Sequence, residues 1–127
     1  MKSITEREEK TMTRIGVTID CNDLTTMTNF WCAALGYRMG GLDAQYQWIE
    51  DPDSEGPGII LQRVPEPRQG KNRLHLDLYA NDIEHEADRL LALGARRIDP
   101  VPIEEAGNRW IRIADPEGNE FCVVQAN

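Results

Sequence analysis

The chain repeats itself. Arg14-Ile-Gly-Val-Thr-Ile-Asp-Cys-Asn-Asp-Leu24 returns as Arg73-Leu-His-Leu-Asp-Leu-Tyr-Ala-Asn-Asp-Ile83, at a constant offset of 59 residues. Each copy runs into a helical pattern that stops at Leu-Gly, first Leu35-Gly36 and then Leu93-Gly94. Each then reaches a tryptophan and an Asp-Pro turn, Trp48 with Asp51-Pro52 and Trp110 with Asp115-Pro116. Two units are too few to stack as a solenoid. The repeat therefore implies two similar halves that enclose a shared cavity, and positions where the halves differ are candidates for function.

At 127 residues the chain is expected to form one domain that buries a core without disulfides. Residues 1–12 are read as a polar tail and 13–127 as a single domain. Its first module spans about 13–64, a connector 65–72 and its second module about 73–126. The net charge of −8, with no basic stripe, argues against nucleic acid as a partner. It favours solubility and would attract cationic small molecules. Three cysteines, Cys21, Cys32 and Cys122, with no Cys-x-x-Cys, argue against a disulfide framework and for a cytoplasmic protein. No apolar run approaches the roughly 18 residues that span a bilayer, so no membrane partner is expected.

Residues 14–21 alternate in character and read as a strand, with Val17, Ile19 and Cys21 on one face and Gly16, Thr18 and Asp20 on the other. Asn22-Asp23 offers a helix cap, and Leu24, Met27, Phe30, Trp31, Ala34 and Leu35 follow as one apolar stripe. Strands are expected around 37–39, 45–50 and 58–64. The second copy repeats the order. Leu74, Leu76 and Leu78 oppose His75, Asp77 and Tyr79 on a strand. Asn81-Asp82 caps a helix carrying Ile83, Ala87, Leu90 and Leu91, and strands follow at 96–98, 109–114 and 120–125. Each copy reads β-α-β-β-β, so the expected class is α+β, with a curved mixed sheet around the cavity. The polar strand faces would be costly if buried dry, which makes a solvated ligand cavity the natural place for them.

This order of motifs resembles the vicinal oxygen chelate superfamily, the glyoxalases, extradiol dioxygenases and bleomycin-resistance proteins, and within it the glyoxalase-like branch. The resemblance rests on Asn22-Asp23-Leu24 leading to Phe30-Trp31 and Leu35-Gly36-Tyr37, and on Asp115-Pro-Glu-Gly-Asn119 before the last strand. His75-Leu-Asp-Leu78 and Leu93-Gly-Ala95 add to it. It implies a fold with two facing modules, a small organic ligand and a homodimer. In the metal-dependent relatives four side chains hold a divalent ion. Those positions fall here on Gly16, Gln62, His75 and Cys122. One ligand is missing and no carboxylate remains, so a degenerate site without a resident cofactor is expected. If zinc, nickel or iron were held, His75, Gln62 and Cys122 would hold it, with Asp20, Asp77 or Glu120 recruited for anything stronger.

The residues expected to line the ligand site are Asp20, Gln62, His75, Asp77, Tyr79 and Cys122, with His75 as the proton-transfer candidate. Against these stand plainer roles. His75 and Asp77 would satisfy each other, and Arg14 and Arg73 would pair with carboxylates. Cys122 would be a small core filler, and Trp48 and Trp110 would pack in matching places. Three functions follow as expectations. The first is small-molecule binding at a degenerate site. The second is a glyoxalase-type lyase, isomerase or dioxygenase. The third is sequestration of a cationic drug, as in the bleomycin-binding relatives.

Overall fold

A computed structural model describes residues 15–127. The tail expected over 1–12, and Arg14, lie outside the described residues. The first module contains β1 (Val17–Cys21), α1 (Leu24–Leu35), β2 (Arg38–Leu42), β3 (Tyr46–Glu50) and β4 (Ile59–Arg63). The second contains β5 (Asp77–Ala80), α2 (Ile83–Ala92), β6 (Arg96–Arg97), β7 (Ile103–Glu105), β8 (Asn108–Ala114) and β9 (Glu120–Gln125). The strand order is β1-β4-β3-β2 in one sheet and β5-β9-β8-β6 in the other, with β7 also on β8. The two sheets have the same plan, as the repeat requires, with β6 and β7 together standing where β2 stands alone. The segment Ile98-Asp-Pro-Val-Pro102 splits that strand because proline cannot donate to a ladder. β7 is too short and too interrupted to read from its pattern.

Both helices begin as their sequence suggests. Asp23 accepts from the Thr26 amide at 3.0 Å and Asp82 from the His85 amide at 3.1 Å. Gly36 closes α1 in the left-handed region at φ 68°. The apolar stripe of α1 packs against its own sheet and against the second module. Trp31 and Phe121 stand 5.0 Å apart between ring centroids, within a core that includes Met27, Leu61, Leu90 and Val123.

The second module also grips α1 at three points. The Glu117 carboxylate accepts from the Asn22 and Asp23 amides at 2.6 and 2.7 Å, at the helix N-terminus. Arg89, oriented by Glu86, donates to the Ala33 and Ala34 carbonyls at 3.2 and 2.8 Å, near its C-terminus. A carboxylate at the positive end and a guanidinium at the negative end both complement the helix dipole. Between them Trp31 Nε1 donates to Asp115 Oδ2 at 3.2 Å.

One expected face is corrected. β5 starts at Asp77, so His75 and Leu74 precede it, and Leu74 is 90% exposed rather than packed beside Leu76. The Cys122 amide reaches back only to the Leu76 carbonyl. Leu74 is therefore left open to solvent, like its repeat counterpart Ile15 at 86% exposure.

The β7–β8 hairpin turns through Ala106 and Gly107 at φ 53° and 79°. Two positive φ values define a turn for which Asn-Gly is the favoured pair. Ala106→Asn is expected to stabilise the fold by about 0.5–1 kcal/mol, by relieving the left-handed cost at alanine. A thermal melt should show the midpoint rising; an unchanged or lower midpoint would contradict that cost.

Candidate functional site

The expected single cavity resolves into several, two of which share a wall. A cleft of about 610 Å³ lies between the β1 edge of one sheet and the start of β5 in the other. Ile15, Val17, Leu74 and Leu76 supply apolar walls, and Asp20, Glu66, Glu117 and Glu120 supply carboxylates against Arg68. A bowl of about 360 Å³ lies on the open face of the second sheet, with Asp77, Tyr79, Trp110, Arg112 and Cys122 in its lining. Asn72, His75, Glu120 and Phe121 line both cavities. His75 thus stands on the shared wall.

Strand register explains the layout of the bowl. Asp77, Cys122 and Arg112 lie side by side across β5, β9 and β8, and Tyr79, Val124 and Trp110 form the next row. On the first sheet the corresponding rows are Thr18, Ile60, Trp48 and Asp20, Gln62, Tyr46. Thr18 and Asp77 are repeat partners, so the counterpart of Cys122 is Ile60, and the counterpart of Gln62 is Val124. Gln62 is therefore one row away from the position that mirrors Cys122. Its amide donates to the Tyr46 hydroxyl at 3.4 Å. The tryptophans are also out of step, since Trp110 mirrors Tyr46 and Trp48 mirrors Arg112. The eight-residue loop 51–58 and the five-residue turn 115–119 differ in length, which shifts the sequence match between the last strands.

Of the expected ligand-site residues, the fold brings His75, Asp77 and Cys122 together. One ligand atom from each lies within 4.8 Å of the others. His75 Nδ1 stands 3.3 Å from Asp77 Oδ1, with both side chains nearly half exposed. Tyr79 is in the next row of the bowl, while Asp20 lines the cleft and Gln62 stays on the first sheet. Burial first, and then the Asp77 charge, push the Cys122 thiol up to about 11, so unaided it is no thiolate nucleophile at neutral pH. Arg112 opposes this shift but is engaged elsewhere. It chelates Asp99 at 2.8 and 3.1 Å, and that ion pair holds the Asp99 carboxyl below the usual range.

Glu117, Arg112 and Asp99 contribute to the site's architecture without any sequence signal. Glu117 reads only as part of a turn, and its partners are 94 and 95 residues away.

The donor chemistry decides which ions the cluster fits. One nitrogen, one oxygen and one sulfur suit zinc-like ions better than hard ions that prefer several oxygens. Gly16, Thr18 and Ile60, the first-module counterparts, add neither nitrogen, sulfur nor carboxylate. An ion held by the cluster would polarise an oxygen of a bound molecule. His75, Asp77 and Cys122 would hold that ion beside the wall that the two cavities share.

The same plan of two modules occurs in solved structures. A glyoxalase/bleomycin resistance protein/dioxygenase family enzyme from Burkholderia phytofirmans PsJN is 18% identical, with 88% of this chain and 97% of that one covered and a TM-score of 0.70. TioX from Micromonospora sp. ML1 is 16% identical, with 89% and 98% covered and a TM-score of 0.63. A variant of the fosfomycin resistance protein FosX from Listeria monocytogenes, complexed with Mn(II) and 1S,2S-dihydroxypropylphosphonic acid, is 14% identical. There 93% of each chain is covered, with a TM-score of 0.75. No curated protein matches the chain. The model of the glyoxalase-like domain matches residues 16–124, from the start of the first repeat through the last strand. With two βαβββ modules on one plan and a family match over nearly its whole length, the chain belongs to the glyoxalase-like domain family.

Proposed function

We propose that the protein binds a small cationic, amphipathic organic molecule in the cleft between its two modules. The observation that carries this reading is the lining of the cleft. Four carboxylates and one arginine line a space of about 610 Å³ with apolar walls. Ligand sites of this kind are largely apolar, with a few placed polar groups, and commonly have volumes of about 300–1,000 Å³. Asp20 is the carboxylate best suited to meet a cation, because Glu117 is occupied by the Asn22 and Asp23 amides. His75 reaches the same ligand from the shared wall.

In this reading the four-donor centre of the metal-dependent relatives is dismantled, and binding rather than turnover is the function. A second reading, proton transfer within the cleft, draws on the 3.3 Å contact of His75 with Asp77. That contact is the arrangement of a positioned general base. Exposed Met39 and Leu42, outside the cleft, support a homodimer; a monomer in sedimentation at working concentration would remove that expectation.

The test is a titration followed by tryptophan fluorescence, using bleomycin and planar cationic dyes beside anionic dyes of similar size, in chelator. The cationic compounds should bind in the micromolar range and weaken with salt. Asp20→Asn should weaken them by about three- to tenfold, an effect of about 0.7–1.4 kcal/mol. Equal affinity for anionic compounds, or no effect of Asp20→Asn, would remove the reading.

A further inference from the structure

The first module has lost its share of the inherited centre, yet the second module carries three converging donors. We propose that His75, Asp77 and Cys122 form a self-contained binding site for a thiophilic divalent ion, zinc or cobalt, and that Asp77 replaces the donors the first module lacks.

The geometry carries this. A tetrahedral zinc site with bonds of about 2.0–2.3 Å places its ligand atoms roughly 3.3–3.7 Å apart. His75 and Asp77 already stand 3.3 Å apart, and all three donors lie within 4.8 Å of one another. Closing the set takes small rotations of His75 and Asp77, whose side chains are nearly half exposed and free to turn. Cys122 is nearly buried on the central strand β9, so it is the fixed point. His75 and Asp77 approach the ion from the same side, since Nδ1 of one stands 3.3 Å from Oδ1 of the other.

The repeat makes the assignment specific. The counterpart cluster in the first module is Gly16, Thr18 and Ile60, which offers one hydroxyl. A side chain added at Gly16 would meet nothing within 4 Å, so no neighbouring atom occupies that position in its place. The donor that changed role is Asp77, whose repeat partner is Thr18. Cys122 supplies sulfur, which sets the preference among ions. Sulfur and nitrogen favour zinc and cobalt over manganese and magnesium. With three protein donors, one tetrahedral position stays open toward the two cavities that His75 lines.

This site shares His75 with the cleft, yet the two fail separately. The cleft is tested by fluorescence in chelator, the metal site by cobalt spectra without organic ligand. The full chain, stripped of metal, is titrated with Co(II). One ion per chain is expected, with a thiolate-to-cobalt charge-transfer band in the near-ultraviolet and the visible bands of a four-coordinate ion. Zinc should displace it, and an equal concentration of Mn(II) should not. Cys122→Ser should abolish the charge-transfer band. Asp77→Asn should keep that band at saturation while weakening affinity by about tenfold or more. Gln62→Ala should leave the spectrum and affinity unchanged. His75→Ala, at an exposed position, should weaken binding by the same order and serves if Cys122→Ser does not fold. Cobalt bound without the charge-transfer band, Mn(II) competing equally, or Asp77→Asn without effect would each overturn the site.

Discussion

Asp115→Ala is expected to cost about 3–5 kcal/mol of stability, because it strips four hydrogen bonds from a buried junction. Asp115 Oδ1 accepts from the Glu117 and Asn119 amides at 3.0 and 2.9 Å. Asp115 Oδ2 accepts from the Asn119 side chain at 2.9 Å and from Trp31 Nε1 at 3.2 Å. The residue is 3% exposed, and the Trp31 N–H would be left unpaired in the core. The same turn presents Glu117 to the N-terminus of α1, so the loss spreads to the grip between modules. Urea unfolding measures it directly. A loss below about 1 kcal/mol would mean that the turn relaxes and finds other partners.

The sign of a pH effect follows from the same carboxyl. Burial outweighs its hydrogen bonds and raises it above the ordinary value of 3.8. Between that value and the raised one, the folded state holds more protons than the unfolded chain. The contribution of Asp115 is therefore fully present below 3.8 and declines as pH rises through the window. The stability difference between the wild type and Asp115→Ala should shrink with rising pH across that range. Asp99 and Glu86, held low by their arginines, have the opposite slope, but they occur in both proteins and cancel. A difference that grows with pH would show that the hydrogen bonds outweigh burial.

Phe121→Ala should cost a similar amount, about 3–5 kcal/mol, by a different route. The ring is 1% exposed and contacts Trp31 and Phe30 at centroid distances of 5.0 and 6.3 Å. It also lines both cavities. Removing it takes away packed area and opens the wall between cleft and bowl. Phe121→Leu, which keeps most of the volume, should cost closer to 1 kcal/mol. Chemical denaturation of the two variants distinguishes packing from mere apolarity. Equal losses would mean that the aromatic contacts, not the filled volume, hold this wall.

Local rules were enough to read much of the fold. Asp23 and Asp82 cap helices because their oxygens meet amides three residues on. Gly36 ends a helix because it tolerates a positive φ. The stripe of Met27, Phe30, Trp31 and Ala34 is buried because 3.6 residues make a turn. The repeat then supplied the plan of both sheets. Leu74 escaped this reading because alternation fixes a face only where a ladder exists, and none reaches it.

The candidate site was legible in part. His75, Asp77 and Cys122 could each be named from the sequence, His75 and Cys122 from the positions that the resemblance implies and Asp77 from strand alternation. That Gln62 stands one row away was hidden, because register depends on loop lengths that no motif encodes. The hold on α1 was hidden more deeply. Glu117, Asp115 and Arg89 reach partners between 55 and 95 residues distant, and nothing local marks them. Two βαβββ halves, their caps and their buried stripes were legible along the chain, because they follow from interactions within a few residues. How the halves close was settled by packing. It set one cleft and one bowl about His75, and three donors on one module, because strand register and long-range hydrogen bonds exist only once the chain has packed.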